Sequence, residues 1–374
     1  MGGFVTTSDD TGDARREGGA GTSRLGGLRP RTVVWLVVAV VLVLVVAALN
    51  LIHVPVAILR PGPAQNTLGD LDGRPVISIS GHPTYPTSGS LDFTTVSLAG
   101  GPQYPVTVWE WATAHLNSNA QIVPADEYFP KNVTSRQVQQ QDSTDMADSQ
   151  QTAQVLALRT AGIQVPETVS VGLLSPGSPA AKYLKVSDVV RSIDGTPLTR
   201  LATARAVLDK VPAGTTVTLQ ITRAGKPLTV RIKTAKNPQG KGSLLGFYPV
   251  PNYTLPFKVD VNAGDVGGPS AGNMFTLAIY DKLTPGSLTG GKKFAGTGTI
   301  AEDGSVGPIG GIRQKMVGAH DSGAKYFLAP AADCSEAHGH IPSGLTVIKI
   351  ASFAQAVSAV KMVAAGQGSG LPSC

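Results

Sequence analysis

The sequence predicts an α+β protein in which one long apolar helix precedes two compact units. Three observations predict it. Residues 33–52 form a nearly unbroken apolar run, residues 165–236 alternate short β-type runs with Pro/Gly turns, and from Val259 a strand, a Gly-rich turn and an apolar helix follow in succession. The 374 residues leave room for two or three domains at roughly 100–200 residues each. With 15% charged and 42% apolar residues, wholesale disorder is excluded. The net charge of +6 is spread along the chain, so no nucleic-acid partner is expected. Two cysteines exclude a multi-cysteine zinc site and a disulfide scaffold.

Residues 1–32, rich in Gly, Ser, Thr and Asp, read as a disordered tail. The run 33–52 matches the ~20 residues that span a ~30 Å hydrocarbon core. It is longer than a signal-peptide core and no A-x-A cleavage sequence follows, so an uncleaved anchor is expected. Arg24, Arg29 and Arg31 flank it on the N-terminal side and only Arg60 lies close on the other. That asymmetry predicts a cytoplasmic tail, a single-pass cell-membrane protein and an extracytoplasmic remainder without access to cytoplasmic nucleotide.

Residues 53–75, with Pro55, Pro61 and Pro63, read as a linker. Residues 76–163 form an α/β part: strands over Val76–Ser80 and Leu91–Leu98, a short helix over Trp109–Asn117, and a longer helix opened by a capping box at Thr134-Ser135-Arg136-Gln137 and closed by Gly162. In 165–236 the strands are Val169–Leu174, Asp188–Ile193, Thr216–Arg223 and Pro227–Lys233, with a helix over Leu201–Lys210. Pro176-Gly177-Ser178-Pro179-Ala180-Ala181, Asp188-Val189-Val190 and Ile193-Asp194-Gly195-Thr196-Pro197-Leu198 make this unit resemble a PDZ domain of bacterial envelope proteases. The resemblance implies a module that adds an extended peptide to a sheet edge. Ser187 departs from the family, which usually has Gly there.

Asn262-Ala263-Gly264-Asp265-Val266-Gly267-Gly268-Pro269-Ser270-Ala271-Gly272 joins a strand to the apolar helix Asn273–Lys282. Ser270 therefore sits near a helix N-terminus, where free N–H groups favour developing negative charge, and is either a nucleophile or simply an N-cap. Gly307-Pro308-Ile309-Gly310-Gly311 opens a helix from about Ile312 to Gly323 with Lys315 in its first turn. The dipole and apolar neighbours such as Met316 and Ala319 would lower the pKa of that amine, and a neutral lysine can deprotonate a serine. A solvated surface lysine is the alternative reading.

Taken together, Gly268-Pro269-Ser270-Ala271-Gly272, Gly296-Thr297-Gly298 and Pro308-Ile309-Gly310-Gly311-Ile312-Arg313-Gln314-Lys315 make residues 243–365 similar to the proteolytic domain of Lon-type proteases, peptidase family S16. Gly323-Ala324-Lys325 and Leu328-Ala329-Pro330 continue the match. With the anchor and the PDZ-like unit, the chain resembles membrane-anchored, PDZ-containing Lon-like proteases of bacteria. The implied fold is α+β, mixed sheets with helices plus a β module behind one transmembrane helix. The resemblance implies Ser270 as nucleophile, Lys315 as general base, Thr297 as the residue orienting that lysine, and backbone N–H groups around Gly268, Pro269 and Ser270 as the oxyanion-hole region. It implies acyl transfer without metal, nucleotide or other cofactor. The expected substrates are unfolded or C-terminal segments of envelope and secreted proteins, and the expected assembly is a homo-oligomer, a hexamer by analogy. Gly268 departs from the ATP-dependent enzymes, which carry Asp two residues before the serine. A PDZ-based binding scaffold with an inactive or closed protease-like domain is the competing reading.

Order alone also allows residues 76–163 to be the first portion of the protease domain, with the PDZ-like unit inserted. Cys334 and Cys374 can pair in an oxidising compartment, tying the tail 366–374 to the loop after Pro330. Gly286 to Lys293 nearly fits a phosphate-binding loop but has Lys293 where the metal-binding hydroxyl belongs. Asp333, Glu336, His338 and His340 read as a solvated loop cluster rather than a metal site.

Overall fold

The computed structural model describes residues 30–374 apart from 102, 103, 130–132, 239 and 241. Most of the proposed tail, including Arg24 and Arg29, lies outside the described residues. Helix α1 (Pro30–Leu51) is apolar all round, with mean hydropathy 3.2 over its best window, and none of that window is buried against the rest of the chain. By length and composition it can cross a bilayer.

Beyond it come strands β1 (Val56–Asn66), β2 (Ile77–Ser80) and β3 (Ser90–Ala99), helix α2 (Val108–His115), strand β4 (Gln121–Pro124) and helix α3 (Ser135–Thr160). Helix α3 starts at the expected capping box, with Thr134 and Gln137 satisfying each other's backbone N–H groups. The linker expected over 53–75 is corrected here: β1 is an interior strand, flanked by β3 and β4. Its prolines misled because the ladder to β3 shifts register between Pro61 and Ala64, and a bulge is where a strand tolerates Pro and Gly. The apolar stretch Ala57-Ile58-Leu59 is buried.

A second unit follows: β5 (Glu167–Leu174), β6 (Val189–Ile193), α4 (Leu201–Leu208), β7 (Thr216–Arg223), β8 (Lys226–Lys233) and β9 (Phe247–Tyr253). Its main antiparallel path runs β8-β7-β6-β5-β9 around its own core of Val169, Val190, Ile193, Leu219 and Ile221. Two boundaries are corrected. The sheet needs β9, so this unit extends past 236 to 253, and the next unit begins after 253 rather than at 243. Ser187 adopts φ +72, the left-handed region that explains the family's preference for Gly there.

The chain then returns to the first unit. Strand β10 (Lys258–Val261) pairs antiparallel with β2. It leads to helix α5 (Gly272–Leu283), β11 (Lys293–Gly296), helix α6 (Ile312–Asp321), β12 (Tyr326–Pro330), β13 (Thr346–Ile350) and helix α7 (Phe353–Ala364). The six-stranded sheet β13-β12-β11-β3-β1-β4 is parallel from β13 to β3 and antiparallel beyond. Segments before and after the PDZ-like unit thus share one sheet, and that unit is an insertion. Phe93, Phe275, Phe294 and Phe353 fill the core between sheet and helices. The tail is docked: Lys349 N–H donates to the Pro372 carbonyl, and Cys374 is disulfide-bonded to Cys334.

The bulge in β1 has a structural use. Helix α6 crosses it at Gly318, where an added Cβ would lie 2.5 Å from the Gly62 carbonyl oxygen. Both atoms belong to fixed backbone, so Gly318→Ala should destabilise the protein by about 1–3 kcal/mol, read as a lower denaturant midpoint at unchanged m-value. An unchanged midpoint would contradict the close approach.

Candidate active site

The turn before α5 brings three residues together. Gly268 takes φ +80, open to glycine but strained for other residues, and Pro269 then aims Ser270 towards the sheet. Ser270 is not the cap of α5: the N-cap is Ala271, and no side chain caps the helix. The hydroxyl instead meets Lys315, whose Nζ donates to Ser270 Oγ at 2.8 Å and to Thr297 Oγ1 at 3.0 Å. Thr297, directly after β11, is fully buried, and its own O–H donates to the Ser270 carbonyl at 3.0 Å. With that proton committed, Thr297 Oγ1 faces the lysine as an acceptor. A neutral amine that gives one N–H to Thr297 can turn its lone pair to the Ser270 O–H.

Lys315 is only 2% exposed, which removes the surface-lysine alternative. Helix α6 starts from Gly311 in the left-handed conformation, so Lys315 emerges one turn in, on the buried side between Gln314 and Met316. Burial lowers its pKa from 10.5 to about 7, with Asp333 opposing the shift. Asp333 was not legible as part of this site. It is buried, accepts the Ile309 N–H at 3.1 Å and so holds the turn that launches α6. Burial raises its own pKa. The loop cluster is therefore split, with His338 and His340 exposed and Asp333 turned inward.

The oxyanion-hole expectation needs correction at Gly268. Its N–H donates to the Asp142 carbonyl of α3 at 2.9 Å, and Pro269 has no N–H to offer. Among the described residues no acceptor engages the N–H groups of Ser270 and Ala271. Helix α3 supports the turn a second time: Ser149 Oγ donates to the Pro269 carbonyl at 2.9 Å. An added Cβ on Gly267 would lie 2.8 Å from Asp142 Cβ, so glycine is required for α3 to pack this closely.

The inserted unit carries a groove of about 530 Å³ between α4 and the edge of β9, lined by Leu201, Ala204, Arg205, Leu208, Phe247 and Tyr248. Among the described residues β9 pairs only with β5, which leaves its other edge without a strand partner there. Before it, the Leu245 and Gly246 carbonyls accept the Ala180 and Ser175 N–H groups, while no acceptor among the described residues engages the Leu245 and Gly246 N–H groups.

Residues 255–363 match the Lon protease (S16) C-terminal proteolytic domain, and residues 137–234 match the PDZ domain. This chain carries both domains. The PDZ match begins inside α3 and stops before β9, because the last strand of this sheet arrives late in the chain. Among curated relatives, the chain is similar to the Lon protease of Mycoplasma mycoides, 39% identical over 69 residues, 18% of this chain and 8% of that one. It is similar to the Lon protease of Treponema pallidum at 31% over 94 residues, 24% and 10% of the two chains. It is also similar to the periplasmic serine endoprotease DegP of Salmonella typhimurium at 33% over 72 residues, 19% and 15%. The matches thus span between 8% and 15% of these relatives' lengths. The PDZ domain of an SdrC-like protein from Listeria monocytogenes overlays 22% of this chain and 86% of its own, at 22% identity and TM-score 0.21.

The buried lysine has a thermodynamic consequence. Its folded pKa of about 7 lies below the unfolded value, so its protonation favours unfolding. The penalty is full below about pH 7 and fades as pH rises towards the unfolded pKa of about 10.4. Denaturant titrations should find Lys315→Met more stable than wild type at pH 6, with the gap closing towards pH 10. A gap independent of pH would contradict the depressed pKa.

Proposed function

We propose that this chain is an ATP-independent serine endopeptidase, anchored by α1 and acting on proteins outside the cytoplasmic membrane. The observation that carries the reading is the 2.8 Å contact between Ser270 and a lysine that burial brings close to neutrality. Neutral Lys315 takes the Ser270 proton as Oγ attacks the peptide carbonyl. The N–H groups of Ser270 and Ala271 stabilise the oxyanion. Protonated Lys315 then passes its proton to the departing amine, leaving an acyl ester on Ser270. Water, deprotonated by the same amine, hydrolyses that ester and regenerates the serine. Thr297 positions the amine by accepting one of its N–H groups, its own proton being given to the Ser270 carbonyl.

The PDZ domain supplies the selection step in this reading. An extended chain end adds to the open edge of β9 beside α4, and the Leu245 and Gly246 N–H groups receive its carboxylate. Arg24, Arg29 and Arg31 before the apolar run, against Arg60 alone close after it, support an N-terminus on the cytoplasmic side. One observation favours the scaffold alternative: the Gly268 N–H is already bonded to α3, as in a site resting closed.

Casein cleavage by the full chain in nanodiscs, without ATP, tests the reading. Wild type should cleave, with a rate that rises through about pH 7 as the amine loses its proton. Ser270→Ala and Lys315→Ala should each lose at least about 10³-fold. Thr297→Val, which keeps the volume but offers no acceptor, should lose on the order of 10²-fold. Activity that survives Ser270→Ala would overturn the proposal, and a wild type silent at every pH would favour the scaffold.

A further inference from the structure

The end of α1 is tied to helix α2. His53 and Val54 pair antiparallel with Thr107 and Val106, and the Val108 N–H donates to the Ile52 carbonyl at 2.9 Å. Helix α2 therefore begins one residue beyond the end of the apolar helix. The 21 residues Arg31–Leu51 rise ~31 Å at ~1.5 Å each, about one hydrocarbon thickness. If α1 spans the bilayer, α2 lies where hydrocarbon gives way to headgroups.

The side chains of α2 suit that depth. Ala114 turns inward onto a small core with Ile58 and Val106. At 100° per residue, Ala112 and Leu116 lie opposite Ala114 with Trp109 beside them, while Val108, His115 and Trp111 follow one another round the flank that leads back towards Ala114. Trp109 is 41% exposed, Trp111 38%, Leu116 88% and nearby Tyr104 70%. Leu51 and Ile52 are exposed too, so exposed apolar side chains lie on both sides of the junction between α1 and α2. The one carboxylate on this helix is folded back: Glu110 Oε2 accepts the Thr107 N–H and O–H at the cap. Tryptophan and tyrosine rings, apolar with one polar atom, are the side chains that settle at a bilayer interface.

We propose that α2 and Tyr104 lie in the outer interface of the bilayer beside α1, forming a second membrane attachment that fixes how the exported part stands on the membrane. The inference rests on reading α1 as an uncleaved span. Continuity with α1 selects lipid as the occupant of this surface.

The chain's three tryptophans allow a direct test, since Trp35 lies in α1 and the other two in α2. Full-length Trp35→Phe, reconstituted in phosphatidylcholine vesicles, reports α2. A Trp109→Phe/Trp111→Phe chain reports α1. With lipid brominated near the headgroup end of its acyl chains, both emissions should fall by similar fractions, and aqueous iodide should quench neither strongly. If Trp35 is quenched by the brominated lipid while Trp109 and Trp111 are quenched only by iodide, the interface assignment is wrong although the span stands. If Trp109 and Trp111 escape both quenchers, protein rather than lipid covers α2 and the assignment is equally wrong. If Trp35 itself escapes the brominated lipid, the span reading fails and this inference falls with it.

Discussion

An amine can serve a serine as a base only while it is neutral, and at ordinary pH a lysine is neutral only where water is kept away. Lys315 is held in such a place, almost wholly out of contact with water. Helix α6 carries the residue into the core, and the bulge at residues 61–63 with Gly318 lets the helix settle onto the sheet. Thr297 then takes one N–H of the amine, and Ser270 Oγ lies within hydrogen-bond distance of the same nitrogen. Asp333 holds the turn that starts α6 while pulling the amine's pKa upward. Burial outweighs that pull, so the net shift is downward.

Helix α3 links this site to the inserted domain. Along its first turns and at its middle it holds the Ser270 turn through the Asp142 carbonyl and Ser149. At its end Arg159 pairs with Glu167 at 2.8 Å and lies over the Tyr253 ring. Glu167 in turn accepts the Leu201 N–H at the start of α4, the helix that walls the groove beside β9. Glu167 and Tyr253 stand at the two points where the chain passes between the units. The ion pair is largely shielded from water, so losing either partner leaves a costly buried charge at that junction.

What was legible in the sequence was local. Ser270 and Thr297 sit in short Gly-marked turns and Lys315 one turn into the helix after Gly311, but residue by residue the pattern equally allows an N-cap and a surface lysine, and the resemblance to Lon-type proteases is what groups the three. The capping box at Thr134 and the hairpin at 216–233 were legible from the local pattern alone. Strand β1 was not, because the Pro and Gly residues that accommodate its bulge look like a linker. Strand β9 was missed as part of the inserted sheet because its partner is far back in the chain: Asn252 bonds Ser170, 82 residues away. The engagement of the Gly268 N–H and the inward turn of Asp333 depend on how helices and loops pack, which no local pattern records.

The state of the Lys315 amine is the quantity on which the account stands. NMR of the Ser270→Ala chain carrying isotope-labelled lysine, titrated across pH, would follow that amine without turnover or self-cleavage. The account predicts one lysine titrating near pH 7, absent from the same spectra of Lys315→Met. A Lys315 signal that stays protonated to about pH 10, as in an exposed lysine, would contradict it.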